Sequence, residues 1–398
     1  MKEEVSIQLE STGLGRCLRA LDRSWVCVAI VAIPYIAYLV LRLSVNAWDP
    51  SHFIVAGDHF VSVDQTPTKI EVQDGSDGYD GQFYYRLALE PLPHQRTRFG
   101  VTIDNPSYRS QRIFYPFLAY ILSIGNKGWV PLILILVNLV GILAVAGLAG
   151  SLVASYGFHR IAGTAVAFYP GFLLSLSRDL TEPVAIALVL ASLVMLKGRH
   201  YLGAALALSL AVLTRETALL VAVLASMVWL YELVKRRTPR TIQWQVFVIP
   251  LTVYAGWQLV LHSVWGRFPL AAGGNNIGPP FKGAVDVWRM FAQLSLSARA
   301  HWLIEVALVT AVSIVALLCL KRTRLSVVGR SAFVGYLLVG IGLSSVVWIE
   351  DWAFLRALSE AFVFGWLIIA ITRLRLKAVL AVATLGVWLS LAALNVRG

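Results

Sequence analysis

Apolar segments of membrane-spanning length, or shorter ones in pairs, recur along this chain near 24–43, 129–153, 161–177, 183–196, 201–214, 217–234, 245–263, 301–320, 331–349, 358–372 and 378–395. The pattern predicts an all-α polytopic membrane protein of about eleven helices, with the shortest segments between 161 and 234. Two long polar stretches, 44–128 and 264–300, interrupt it, and the whole of 1–398 reads as one integral membrane domain. No internal repeat is visible, and the two halves differ in loop length and charge, which weighs against an inverted-repeat transporter.

Composition agrees with the pattern. Hydrophobic residues make up 58% and charged ones 14%, and the mean hydropathy is +0.71, far from the soluble range. The net charge of +12 would suit nucleic acid, but its distribution excludes that reading. With the N-terminus inside, 18 of the 34 basic residues and only five of the 22 acidic ones fall in cytoplasmic segments. The positive charge is therefore a topology signal. It puts the N-terminus in the cytoplasm, the C-terminus outside, and 44–128 and 264–300 in two extracytoplasmic loops. Arg16, Arg19 and Arg23 precede the first apolar run, which is long for a cleaved signal and is expected to stay as an anchor. Three cysteines (Cys17, Cys27, Cys319) form no disulfide framework or zinc motif. His52, His59 and His94 lack ligand spacing.

Nine acidic residues crowd into the first loop. Within it, Asp74, Asp77 and Asp80 recur at a spacing of three and run into Gln82, Phe83, Tyr84, Tyr85 and Arg86. Glycines at 75, 78 and 81 predict a turn feeding a helix over Gln82–Glu90, ended by Pro91 and with Asp80 as a candidate N-cap. Aromatics such as Tyr79, Tyr84 and Tyr85 interleaved with carboxylates suit a sugar, whose ring stacks while its hydroxyls are bonded. Arg109 and Arg112, three apart, are expected on one face of an interfacial amphipathic helix, able to meet lipid phosphate.

Three further clusters fall on the same predicted side. The turn Ser177–Pro183 carries Arg178, Asp179 and Glu182. Arg215 and Glu216 break an apolar run from Tyr201 to Leu230 that is too long for one span and too short for two. Ionisable groups at that depth cost roughly 2.5–3.5 kcal/mol each and should pair or face a wet cavity. The last cluster holds Glu350, Asp351, Arg356 and Glu360. Together they read as the rim and floor of one outward-facing cavity.

In Gly78 to Ala88, Arg112 to Pro116, the Ser177–Pro183 turn and the Leu213–Thr217 break, nearly the whole chain resembles bacterial multispanning glycosyltransferases of the GT-C superfamily, in particular those associated with cell-surface glycopolymer formation. The resemblance implies a sugar transfer from a polyprenyl-phosphate donor to a glycan, lipid or protein acceptor outside a bacterial cytoplasmic membrane. It gives Asp80 the role of base or acceptor-orienting acid, with Asp77 second and Asp49, near the end of the first span, third. No acidic pair follows that span directly, a departure from the family pattern that leaves a need for a divalent cation open. No metal site and no other cofactor is assigned.

Arg109, Arg112, Arg178, Arg215 and Arg356 are candidates to hold the donor phosphate. Tyr79, Gln82, Tyr84, Tyr85, Arg86, Asp179, Glu182, Glu216, Asp351 and Glu360 are candidates for substrate contact. A single inverting displacement would suffice, with Asp80 or Asp77 taking the proton. On the sequence alone, Asp80→Asn should remove transfer at near-wild-type stability. The rival readings are a lipid-linked glycan flippase, a membrane acyltransferase or glycopolymer ligase, and a non-catalytic scaffold. A flippase would carry polar residues through both leaflets, and an acyltransferase a deep histidine pair; neither pattern is present in the sequence.

Overall fold

In a computed structural model, which describes residues 21–236, 242–273, 276–293, 295–349 and 353–396, six helices are long and apolar enough to cross a membrane. They are Ser24–Val45, Lys127–Ala154, Glu216–Lys235, Gln245–Trp265, Leu296–Cys319 and Lys377–Asn395. The described chain is mostly helical, with four strands of two residues each.

The other five predicted segments are shorter or broken. Glu182–Lys197 has 16 residues, Tyr201–Thr214 has 14 and Ser359–Ala370 has 12. A 12-residue helix rises about 18 Å, well under the roughly 30 Å of a hydrocarbon core. All twelve residues of Ser359–Ala370 are buried inside the protein. After Ser359 and Glu360 its apolar run, 361–370, therefore serves a protein core, which demands the same composition as lipid.

Segment 161–177 splits into a 3-10 stretch, Arg160–Phe168, and a helix, Pro170–Ser177. The cause is local: Tyr169 precedes a proline, which disfavours helical backbone there, and it is extended (φ −58°, ψ 126°). Segment 331–349 splits into Val327–Ile341 and Ser345–Ile349. The second polar stretch docks in that gap, where Gly278 N–H donates to the Gly342 carbonyl at 2.8 Å and Ser344 N–H to the Asn276 carbonyl at 3.0 Å. Broken-helix groups are satisfied by a loop rather than by water.

The first polar stretch builds its own small core from Ile54, Val61, Ile70, Phe83, Tyr84, Leu87, Val101 and Ile103. At its centre lies the helix Gly81–Leu89, one residue earlier than predicted and buried along its whole length. It does not lie as an amphipathic element on an interface. Arg109 and Arg112 likewise do not share an amphipathic helix, since the helix there, Pro106–Ser110, ends before Arg112.

Two glycines fix how the acidic string enters its helix. Gly78 has φ +63°, a left-handed conformation that suits a residue without Cβ. A Cβ on Gly81 would collide with the carbonyl oxygens of Ile54 and Arg178. Glycine at 81 thus seats the start of this helix against the turn that follows Pro170–Ser177.

Candidate functional site

Asp80 stands at this glycine-tightened helix entry, but it does not cap the helix: its backbone is already helical and its side chain makes no cap hydrogen bond. The carboxylate turns instead to arginines. It pairs with Arg109 and with Arg356 (Nη2 at 3.0 Å), and Arg112 Nη1 lies 4.0 Å away.

Each arginine holds a second acid. Arg109 forks onto Asp104 through Nε at 2.9 Å and Nη2 at 2.7 Å. Arg112 forks onto Glu216 through Nε at 2.9 Å and Nη2 at 2.6 Å. Arg356 Nε donates to Glu182 Oε1 at 2.9 Å, and Arg215 pairs with the same oxygen. Arg215 Nε lies 3.5 Å from Glu360, which also accepts from the Thr217 hydroxyl.

Four arginines and five carboxylates thus alternate through one network drawn from five stretches of sequence. Alternation answers the cost of burial, because an unpaired charge there would lose several kcal/mol of hydration without return. Burial pushes the Asp80 carboxyl up, but Arg109, Arg356 and Arg112 outweigh it and hold it well below the usual carboxylate range. In this state Asp80 is a strongly held anion and a weak base.

The network opens into a cavity of about 420 Å³. Its ionic lining is Asp80, Arg109, Arg112, Arg215, Glu216 and Arg356, and its apolar lining includes Leu270, Ile277, Val339, Leu343 and Val347. The second polar stretch closes over part of it. Asn105 Nδ2 donates to the Ala272 carbonyl at 2.9 Å. The Tyr108 hydroxyl accepts from Arg112 Nη2 at 2.9 Å and Asn276 Nδ2 at 3.2 Å.

The remaining sequence candidates fall into four groups. Around the network, Tyr79 lies beneath the guanidiniums of Arg356 (5.1 Å) and Arg178 (5.5 Å). The Tyr84 hydroxyl accepts from Arg112 at 3.2 Å. Arg178 itself bonds the Ser177 hydroxyl at 3.0 Å and reaches the Asn395 side chain at 3.4 Å.

Turned away from the cavity are Gln82, which bonds Gly57 N–H and the Asp77 carbonyl, Tyr85, which meets Thr68, and Arg86, which pairs with Glu90 at 2.7 Å. Asp49 caps the short turn Pro50–Phe53 through Ser51 N–H. Asp179 is fully buried at a positive φ of 50°, and neither of its oxygens has a hydrogen-bond partner among the described residues. Asp351 and Glu350 lie outside the described residues.

Asp77 is on the surface of the first-loop core, where its side chain is 80% exposed and Oδ1 lies 2.8 Å from His59 Nδ1. That hydrogen bond raises the His59 pKa, with desolvation opposing it and the charges of Asp77 and Asp58 adding to it. Because the folded value is raised, the pair adds stability below the pKa of unfolded histidine and loses it as pH rises through the folded value. Histidine NMR should show His59 titrating at higher pH in the wild type than in Asp77→Asn. Equal midpoints would remove the pair.

Asp104, Tyr108 and Thr217 join the network although sequence reasoning did not single them out. A signal existed for Asp104, five residues before Arg109 with Pro106 starting a helix between them. None existed for the apolar lining from 339–347, which reads as plain membrane span. Among the described residues no group of three or more His, Cys, Asp or Glu could hold a metal ion.

These features define a helical protein with membrane-length spans and an arginine–carboxylate cavity roofed by a polar loop. Comparison with protein-family models, curated proteins and solved structures finds no match.

Proposed function

We propose that the chain is a membrane glycosyltransferase that moves a sugar from a polyprenyl-phosphate donor to an acceptor hydroxyl on the outer side of a bacterial cytoplasmic membrane. The observation that carries this reading is the two-sided cavity, where Asp80 and its three arginines share one space with an apolar lining. Such a space suits an amphiphile with a phosphate at its head. Guanidinium groups match phosphate oxygens in shape and charge.

On this reading, Asp80 occupies the arginines until a donor arrives. The donor phosphate then draws Arg109, Arg112 and Arg356 to itself, and the Asp80 carboxylate loses the charges that hold its proton affinity down. The acceptor oxygen forms a bond to the anomeric carbon as the carbon–oxygen bond to phosphate breaks. The bonding pair leaves on the phosphate, stabilised by the arginines, and the acceptor proton passes to Asp80. Configuration inverts at the anomeric carbon. Glu182, Glu216 and Asp104 hold the arginines in place during the exchange.

The test is transfer by purified protein in nanodiscs, offered a panel of radiolabelled polyprenyl-phosphate sugars and a membrane glycolipid extract. Donor-dependent labelled product is expected. Saturable donor binding with no product from any sugar would favour a lipid-linked glycan transporter instead.

A further inference from the structure

A second concentration of cations lies at the other end of the helix Val327–Ile341 from the arginine–carboxylate cavity. Val339 near the C-terminus of that helix lines the ionic cavity, whereas Val327 at its start lines two other depressions. Fifteen residues of helix separate the two ends by about 22 Å. The first depression, about 350 Å³, carries Lys197, Arg199 and Arg324 above an apolar floor that includes Leu193, Leu196 and Val228. The second, about 570 Å³, carries Lys321 and Arg330 and runs along Leu224, Val334, Gly335 and Leu338.

The electrostatics of the two ends are opposite in kind. Every arginine of the ionic cavity is matched by a carboxylate. Among the described residues no carboxylate lines either depression at this end. The Nε of Arg330 is buried with no hydrogen-bond partner among the described residues. An orphaned guanidinium donor in a depression that also carries Lys321, with Arg324 lining the depression that meets it at Val327, calls for an anion. The adjoining groove is apolar, lined by Leu224, Val334, Gly335 and Leu338, and at Gly335 the missing Cβ leaves room for Leu220 and Leu224 to pack closely.

We propose that this end of the bundle binds an anionic phospholipid, with its phosphate among Lys321, Arg324 and Arg330 and an acyl chain along Val334–Leu338. A basic pocket between apolar helices is where such headgroups are held. The site is separate from the transfer cavity and stands or falls independently of it.

Native mass spectrometry tests this on the full chain released from nanodiscs of phosphatidylcholine with a minor fraction of phosphatidylglycerol. The wild type is expected to retain phosphatidylglycerol in preference to phosphatidylcholine. Lys321→Gln, Arg324→Gln and Arg330→Gln together should weaken retention about a hundredfold, roughly a factor of five for each cation. Arg322→Gln, Arg373→Gln and Arg375→Gln together remove the same charge from positions lining neither depression, and should leave retention unchanged. If the triple variant fails to fold, Arg324→Gln alone, at an exposed position, should still show about a fivefold loss. Equal losses in the two triple variants, equal retention of the two lipids, or displacement of the lipid by inorganic phosphate would each overturn the proposal.

Discussion

Asp80→Asn is expected to abolish sugar transfer and, at the same time, to destabilise the protein. The first effect follows from its proposed role: loss of a positioned base costs about 10²–10⁴ in rate. The second follows from geometry. The amide would leave Arg109, Arg112 and Arg356 around a site with no anion. Removing one member of a buried ion pair costs about 3–5 kcal/mol. The lower end applies here, because each arginine keeps another acid: Asp104, Glu216 or Glu182. This corrects the sequence-based expectation of near-wild-type stability, which had no view of the three guanidiniums.

The same geometry predicts a rescue. Polyprenyl phosphate added to Asp80→Asn should raise its melting temperature more than that of the wild type, since the phosphate fills the place of the missing carboxylate. Asp80→Glu keeps the charge and should keep the stability. Melting curves in detergent, read beside the transfer assay, separate the two effects. Transfer at the wild-type rate in Asp80→Asn would remove Asp80 from the chemistry, and a stable variant indifferent to phosphate would remove the placeholder.

Glu182→Gln should be the most destabilising single change in the network. Glu182 is completely buried and serves Arg356 and Arg215 through one oxygen, while Ser175 donates to the other at 3.0 Å. Its neutral amide would leave two buried guanidiniums close together with too little negative charge between them. The expected loss is about 3–5 kcal/mol, read as the shift in a reversible denaturation curve. Adding Arg215→Gln should recover part of it, because the repulsion between the arginines disappears with one of them. A double-mutant cycle measures that coupling directly. Losses that simply add would mean that Glu182 and Arg215 do not interact.

How much of this was readable in the sequence depends on the kind of signal. Arg215 and Glu216 were legible because two ionisable groups inside an apolar run must be explained, and the helix does break there, with Arg215 extended. Asp80 stood out for the same reason of contrast. Its partners did not, because Arg356 lies 276 residues away and no local pattern records that distance. The aromatics after Asp80 looked like a sugar platform, yet Phe83 and Tyr85 are spent on the first-loop core. Composition cannot tell a ring that faces a ligand from one that faces a core.

Helix length was decided in the same way. Six apolar segments are long enough to span a membrane, and these were visible from hydropathy because lipid and apolar sequence match over a known thickness. Segments such as Ser359–Ala370 are as apolar but are wrapped on all sides by protein, and hydropathy has no term for what the neighbour is. The sequence by itself determined the helical, membrane-type character of the chain and which ionisable residues are out of place in it. Tertiary structure alone decided which of those residues meet, since an ion pair needs an approach of a few ångströms that only the packing of distant segments can set.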